Sequence, residues 1–192
     1  MRVLIIGNRG SGKTTAGDLI AYWPSSYRLR SVSTSDVLII KYANHASIPA
    51  SMIIRNKDQY REQLWSYGRT LQEKDPGCLV KEALIQSAMQ DQPLPFDESD
   101  VAQRLNGPGI TVVTGVRNPD EMEVCRRLRM FNVIVWLQRD DADRGPTDLL
   151  DATYADVNVA NNGTLEQLRE SLLLVIQSHA KPTDASIEGI YP

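Results

Sequence analysis

A chain of 192 residues, 42% hydrophobic and 23% charged, is long enough for one well-buried core and has the composition of an ordinary globular domain. Its net charge of -3 excludes a global basic field for long-range capture of nucleic acid, leaving only local patches such as RNK at 55–57 and CRRLR at 125–129. The two cysteines, Cys78 and Cys125, lie far apart outside any CxxC spacing, against a disulfide framework or zinc site, and with no leader or run of about 18 apolar residues the expected location is a cytoplasm, without a membrane partner.

Short aliphatic runs alternate with helical patterns, which predicts a parallel sheet covered on both faces. Val3–Ile6 is the first predicted strand, and Lys13 to about Trp23 the first helix, stopped by Pro24. Tyr27–Val32 reads as the second strand, followed by STSD, a cluster of N-cap residues, and a helix start at Val37. From about Ala43 to Met89 the pattern is helical throughout, a candidate small lobe (about 43–90) within a single domain spanning 1–192. DQPLPFDESD, at 91–100, reads as a Pro-rich acidic connection. The alternation resumes with GITVVTG (109–115), a helix over Pro119–Met130 with proline in its first turn, and the strands NVIVWLQ and DVNVAN. The last helix opens at Thr164, where Thr164 and Gln167 have capping-box spacing, and runs to about Ser178; residues from 180 to 192 read as a loose tail.

Gly7-Asn8-Arg9-Gly10-Ser11-Gly12-Lys13-Thr14 fills every fixed position of G-x-x-x-x-G-K-[ST], between a strand and a helix. Such a loop turns its N–H groups inward around a phosphate, and glycine tolerates the dihedrals this needs. The helix N-terminus adds partial positive charge, Lys13 reaches the β- and γ-phosphates, and the Thr14 hydroxyl is a ligand for Mg²⁺. The expected ligand is a nucleoside triphosphate held by Asn8, Arg9, Gly10, Ser11, Gly12, Lys13 and Thr14. Thr15 is either an α-phosphate contact or a plain helix residue. The chain has no N/T-K-x-D motif of a GTPase, and TVVTGVR lacks the acidic pair of a motor ATPase. Small size, an early phosphate loop and a helical block between the second and third strands fit a small-molecule kinase.

REQLWSYGRTLQ (61–72), ITVVTGVRNPDEMEVCRRLRMFNVIVWLQRD (110–140) and DVNVANNGTLEQLRESL (156–172) are, with the loop and in this order, similar to the bacteriophage deoxynucleoside monophosphate kinases, relatives of thymidylate and dephospho-coenzyme A kinases. The resemblance covers about half of the chain. It implies an α/β fold of the P-loop NTPase type: a three-layer sandwich with a five-stranded parallel sheet, helices on both faces and a helical acceptor or lid insertion. It also implies ATP and Mg²⁺ as cofactors and transfer of the γ-phosphoryl group to a deoxynucleoside monophosphate. Arg61 matches the arginine that holds an acceptor phosphate, and Arg117 the arginine of a D-x-R-x-x-x-E segment, with Glu121 as its acid. A solvated helix face competes for Arg61, and a structural ion pair for Arg117 and Glu121.

The family places an aspartate where this chain has Gly115. Asp36, after the second strand, is the expected replacement and would act on the acceptor; an N-cap role is the competing reading. Arg139 and Arg144 follow the fourth strand where a lid would lie, and Arg139 is expected to neutralise charge on the transferring group. NNG at 161–163 resembles the family's turn before the last helix. Trp65 and Tyr67 suit either core packing or stacking on a base. His45 and His179 are isolated, without metal-ligand spacing. Two other functions stay open: a phage DNA-modification kinase acting on the hydroxymethyl group of 5-hydroxymethyl-deoxyuridine in DNA, and a module that hydrolyses or senses ATP without a small acceptor. A second copy of the chain is also left open as a partner.

Overall fold

The structure, a computed structural model, describes residues 1–22, 28–89, 109–145 and 149–179. Trp23, Pro24, Tyr27, the acidic connection at 91–100 and the tail from 180 lie outside these, so the sequence readings that fall on them have no structural counterpart here.

Five parallel strands form one sheet: β1 (Arg2–Ile6), β2 (Arg28–Ser33), β3 (Gly109–Thr114), β4 (Val133–Gln138) and β5 (Val157–Ala160), in the spatial order β2-β3-β1-β4-β5. β1 is central, and Val3, Leu4, Ile5 and Ile6 are all buried because both of its faces are covered. Alternation divides these four between two cores. Leu4 and Ile6 point with Val113, Ile134 and Trp136 to one face. Val3 and Ile5 point with Val112, Val133, Val135 and Leu137 to the other.

The second face is covered by α1 (Lys13–Ala21) and the C-terminal helix, α7 (Leu165–His179), through Ala16, Ile20, Leu168, Leu172, Val175 and Ile176. α7 opens with the predicted capping box: Thr164 N–H donates to Gln167 Oε1 at 2.9 Å, and Gln167 N–H donates to Thr164 Oγ1 at 3.3 Å. The first face is covered by α2 (Thr34–Ala46), α5 (Cys78–Met89) and α6 (Pro119–Arg127), which contribute Val37, Val80, Ala83, Met122 and Val124. Asn118 caps α6 by accepting from Asp120 N–H at 3.0 Å, and Pro119 stands in the first turn as expected. α6 ends at Arg127, short of the predicted Met130, and Arg129 turns the chain with φ 47°.

The helical block is more divided than its pattern suggests. α2 starts at Thr34, three residues before the predicted Val37, because the Ser33 hydroxyl accepts from Ser35 N–H at 3.2 Å and is the N-cap. Asp36 is therefore a first-turn residue, not the cap. Ser47, at φ 56°, ends α2; α3 (Ala50–Arg55) and α4 (Arg61–Lys74) follow. Ile39, Ala43, Ile53 and Leu64 give α2, α3 and α4 a small core of their own. α5 instead returns to the sheet, with Leu79, Val80 and Ala83 in the main core.

α1 follows β1 on one face, whereas α6 follows β3 on the other. β1 and β3 are neighbours, so the chain diverges between them and opens a crevice at their carboxyl ends, where open parallel sheets bind ligands. Among the described residues no helix is long and apolar enough to cross a membrane.

Candidate functional site

The turn from β1 into α1 lies at that crevice. Gly12 is the N-cap of α1 with φ 91°, a left-handed conformation that L side chains rarely adopt, and a Cβ there would lie 2.4 Å from Asn161 Nδ2. Ser11 is fully buried, and Lys13 is only 9% exposed. The Lys13 ammonium donates to Gly7 O and Asn8 O, both at 2.6 Å, so the lysine folds back over the loop it closes. Thr14 and Thr15 are exposed on the first turn of the helix. Asn161, just past β5, donates from Nδ2 to Ser11 O at 2.8 Å and ties the loop to the far side of the sheet. The NNG turn thus has a positioning part that its resemblance did not suggest. Asn161→Ala should weaken nucleotide binding roughly fivefold, the scale of one neutral hydrogen bond, as titration calorimetry would read.

Beside the loop a cavity of about 510 Å³ opens between the small helical lobe and the carboxyl edge of the sheet. Among the described residues its wall carries five cations, Arg9, Lys57, Arg61, Arg69 and Arg117, and a single acid, Glu121. A chain of net charge -3 therefore presents a local cationic surface at this position. Leu38, Leu64 and Leu79 supply apolar wall, and Trp65, half-exposed, lies with the Arg69 guanidinium 5.1 Å from its ring centroid. Arg61 is paired with Asp58, whose carboxyl is held below the usual range by that hydrogen bond. Glu121 is buried, and burial pushes its carboxyl up to about 8 against the hydrogen bonds it receives from the Arg117 main chain and the Gln72 side chain.

Arg61, Arg117 and Glu121 are thus brought to one cavity, together with Arg9 of the loop. What Arg117 gives Glu121 is its backbone N–H, and a guanidinium–carboxylate pair is not the source of the shift in Glu121. Asp36 is exposed and outside the cavity wall: the early start of α2 gives the wall positions to Thr34 and Ser35. Arg139 is also outside the wall and bonds Asp141, Nε to Oδ1 at 2.6 Å and a second guanidinium N–H to Oδ2 at 3.1 Å. Arg144 is exposed next to Gly145, which lines the cavity. Tyr67 stacks on His45 at 4.9 Å between ring centroids, away from the cavity, whereas Trp65 lines it. His179 lies at the end of α7 and bonds Val175 O and Ser178.

Gly115 has a steric reason. With φ 97°, a Cβ would stand 2.6 Å from Thr34 Oγ1 and 3.3 Å from Ser35 N. No aspartate fits, and the hydroxyl-bearing first turn of α2 occupies the space. Gln72, Asn118 and Arg69 also line the cavity and were not singled out from sequence, while Lys57 comes from the basic RNK cluster and Thr34 and Ser35 from the STSD cap cluster. Gln72 and Arg69 carried a usable signal, since they continue from Leu64 and Trp65 at helical spacing on α4.

For the metal, the described residues contain no group of three or more His, Cys, Asp or Glu side chains that could hold an ion. Mg²⁺ is commonly held by few protein ligands with water and phosphate oxygens, so the exposed Thr14 hydroxyl at the loop is a fitting donor set. Both cysteines are apolar in behaviour: burial pushes Cys125 up to about 12 and raises Cys78.

A five-stranded parallel sheet of this order, with the glycine loop joining its central strand to a helix, defines an α/β fold of the P-loop NTPase type. Shikimate kinase from Aquifex aeolicus is a similar solved structure, with 14% sequence identity, 94% of this chain and 98% of that chain covered, and a TM-score of 0.45. No protein-family model and no curated protein matches the chain.

Proposed function

We propose that this chain is a Mg²⁺-dependent phosphotransferase that moves the γ-phosphoryl group of ATP to a nucleotide acceptor, with a deoxynucleoside monophosphate the first choice. The observation that carries this reading is the adjacency of the glycine loop, with Lys13 at its seam, to a cavity whose wall, among the described residues, holds five cations and one buried acid. The loop amides and Lys13 hold the donor's phosphates, and Thr14 would hold Mg²⁺, which supplies charge neutralisation when bound. Arg61 and Arg117 hold the acceptor phosphate through charge-assisted forks, and Arg9 bridges the two sites. Transfer is in line and governed by positioning and charge, since little covalent chemistry falls to the protein.

An acceptor phosphate is already an anionic nucleophile, whereas a hydroxyl acceptor needs a base to take its proton. Among the described residues the single carboxyl on the cavity wall is Glu121, 2% exposed, with Asp36 turned outside. This favours a monophosphate over the hydroxymethyl group of a base in DNA. The test offers γ-labelled ATP with a panel of deoxynucleoside monophosphates and, in parallel, DNA containing 5-hydroxymethyluracil. Label should enter the monophosphates. Label found only in DNA, or only as free phosphate, overturns the reading. Arg61→Ala and Arg117→Ala should each raise the acceptor KM by about tenfold or more and leave the KM for ATP nearly unchanged.

A further inference from the structure

Arg61 reaches the cavity already engaged. It forms an ion pair with Asp58, three residues earlier in the turn between α3 and α4, and the two side chains are 50% and 87% exposed. Arg61, Arg9 and Lys57 all line the cavity, whereas Asp58 stands off its wall. The same three cations act on the Asp58 carboxylate, Arg61 by a hydrogen bond and by charge, Arg9 and Lys57 by charge alone. A carboxylate of the chain itself therefore satisfies the cationic cluster in which, on the nucleotide-acceptor reading, a phosphate belongs.

We propose that Asp58 is an internal competitor for Arg61, a displaceable carboxylate that sets how tightly the cavity holds the acceptor's phosphate and how readily it releases product. This deepens the nucleotide-acceptor reading above and rests on it. Charge favours the exchange, because a carboxylate brings one negative charge and a phosphate monoester brings nearly twice that at pH 7, on three acceptor oxygens. The bond to be broken is weak: solvent screens an exposed pair, and two side chains must be held still to make it. With 87% of its surface in solvent, the Asp58 side chain turns from the guanidinium into water without disturbing any packing or leaving a buried charge behind. Arg61 needs no rearrangement of α4, since it already shares the cavity-lining stripe of that helix with Leu64, Trp65 and Gly68. The exchange runs backwards at release, when Asp58 takes Arg61 again as the product leaves. The opposite role, in which Asp58 holds Arg61 ready for the acceptor, predicts an effect of opposite sign.

Asp58→Asn keeps the shape of the side chain and removes its charge. Titration calorimetry of the full chain should show inorganic phosphate and thymidine 5′-monophosphate each binding about two- to fivefold more tightly than to the unaltered protein, the scale of one exposed ion pair no longer to be broken. In an Arg61→Ala background the same substitution should bring no gain, because nothing is left to compete for; this double-mutant comparison separates competition from a general change in the local field. Affinities that stay equal or weaken in Asp58→Asn, a gain that persists without Arg61, or no phosphate bound by either protein each overturns the proposal. An Asp58 that only complements the positive end of α4 would give the first of these results, with a lower melting temperature and no change in affinity. Tighter binding of inorganic phosphate with no binding of the nucleotide, or with no phosphoryl transfer, would overturn the acceptor reading alone.

Discussion

Lys13→Met should lower phosphoryl transfer by about 10³-fold while shifting the melting temperature by only a few degrees. The reason lies in where the ammonium stands. It is 9% exposed and caught between Gly7 O and Asn8 O at 2.6 Å each, whereas Arg9, the other cation of the loop, is exposed. In the proposed reaction the donor's phosphate oxygens would replace these carbonyl contacts, and the charge would already be in place when negative charge grows on the transferring group. Methionine keeps the length and the apolar stem and removes only the charge, so the core beneath is undisturbed. The carbonyls it uncovers belong to Gly7 and Asn8, which are only partly buried and have water within reach. Lys13→Arg should fare little better, because a planar fork does not fit a seat shaped for a compact ammonium. An assay of ADP formation decides the matter: turnover within threefold of the unaltered protein would remove Lys13 from the reaction.

The second large effect concerns stability and pH. Glu121 has its carboxyl raised from 4.5 to about 8 by burial, so between those values the folded chain binds a proton that the unfolded chain has lost. Stability therefore falls as pH rises through this window and levels off above it. Each tenfold gain in proton affinity is worth about 1.4 kcal/mol, so the full loss is on the order of 3–5 kcal/mol, a large share of a typical domain's stability. Asp58, Asp75 and Asp151, all held below the usual carboxylate range, work in the opposite sense but act only in more acidic solution. Urea unfolding at pH 5, 6.5 and 8.5 should show the midpoint declining, and Glu121→Gln should flatten that decline. A midpoint that rises steadily over the same range would refute it.

The frame of the molecule was legible because its signals are local. An aliphatic strand buried on both faces, a complete glycine loop and a reciprocal Thr164–Gln167 cap each announce themselves within a few residues. The start of α2 slipped where several caps competed. STSD offers several oxygen acceptors, and only the folded backbone shows that Ser33 takes the role, which turns Asp36 away from the cavity. The site was half legible. Arg61, Arg117 and Glu121 reach one wall, but Arg139 is engaged by a neighbour two residues away, a local pairing that spacing alone does not rank above a distant one. Gln72 and Thr34 have no charge to mark them, and their place depends on how α4 crosses α2. The state of Glu121 was beyond reach for the same reason, since burial is a property of the assembled wall.

The strand order has a consequence for how the protein is made. Among the described residues β1 pairs only with β3 and β4, and β2 only with β3, so the 108 positions separating Met1 from Gly109 hold two described strands and no pairing between them. At roughly 5–20 residues per second, a ribosome leaves the aliphatic strand β1 waiting several seconds or more for its first strand neighbour among the described residues. Fragments ending before residue 109 should accordingly bind chaperones and resist isolation as folded species, whereas those that include β3 and β4 should begin to protect β1 from proteolysis.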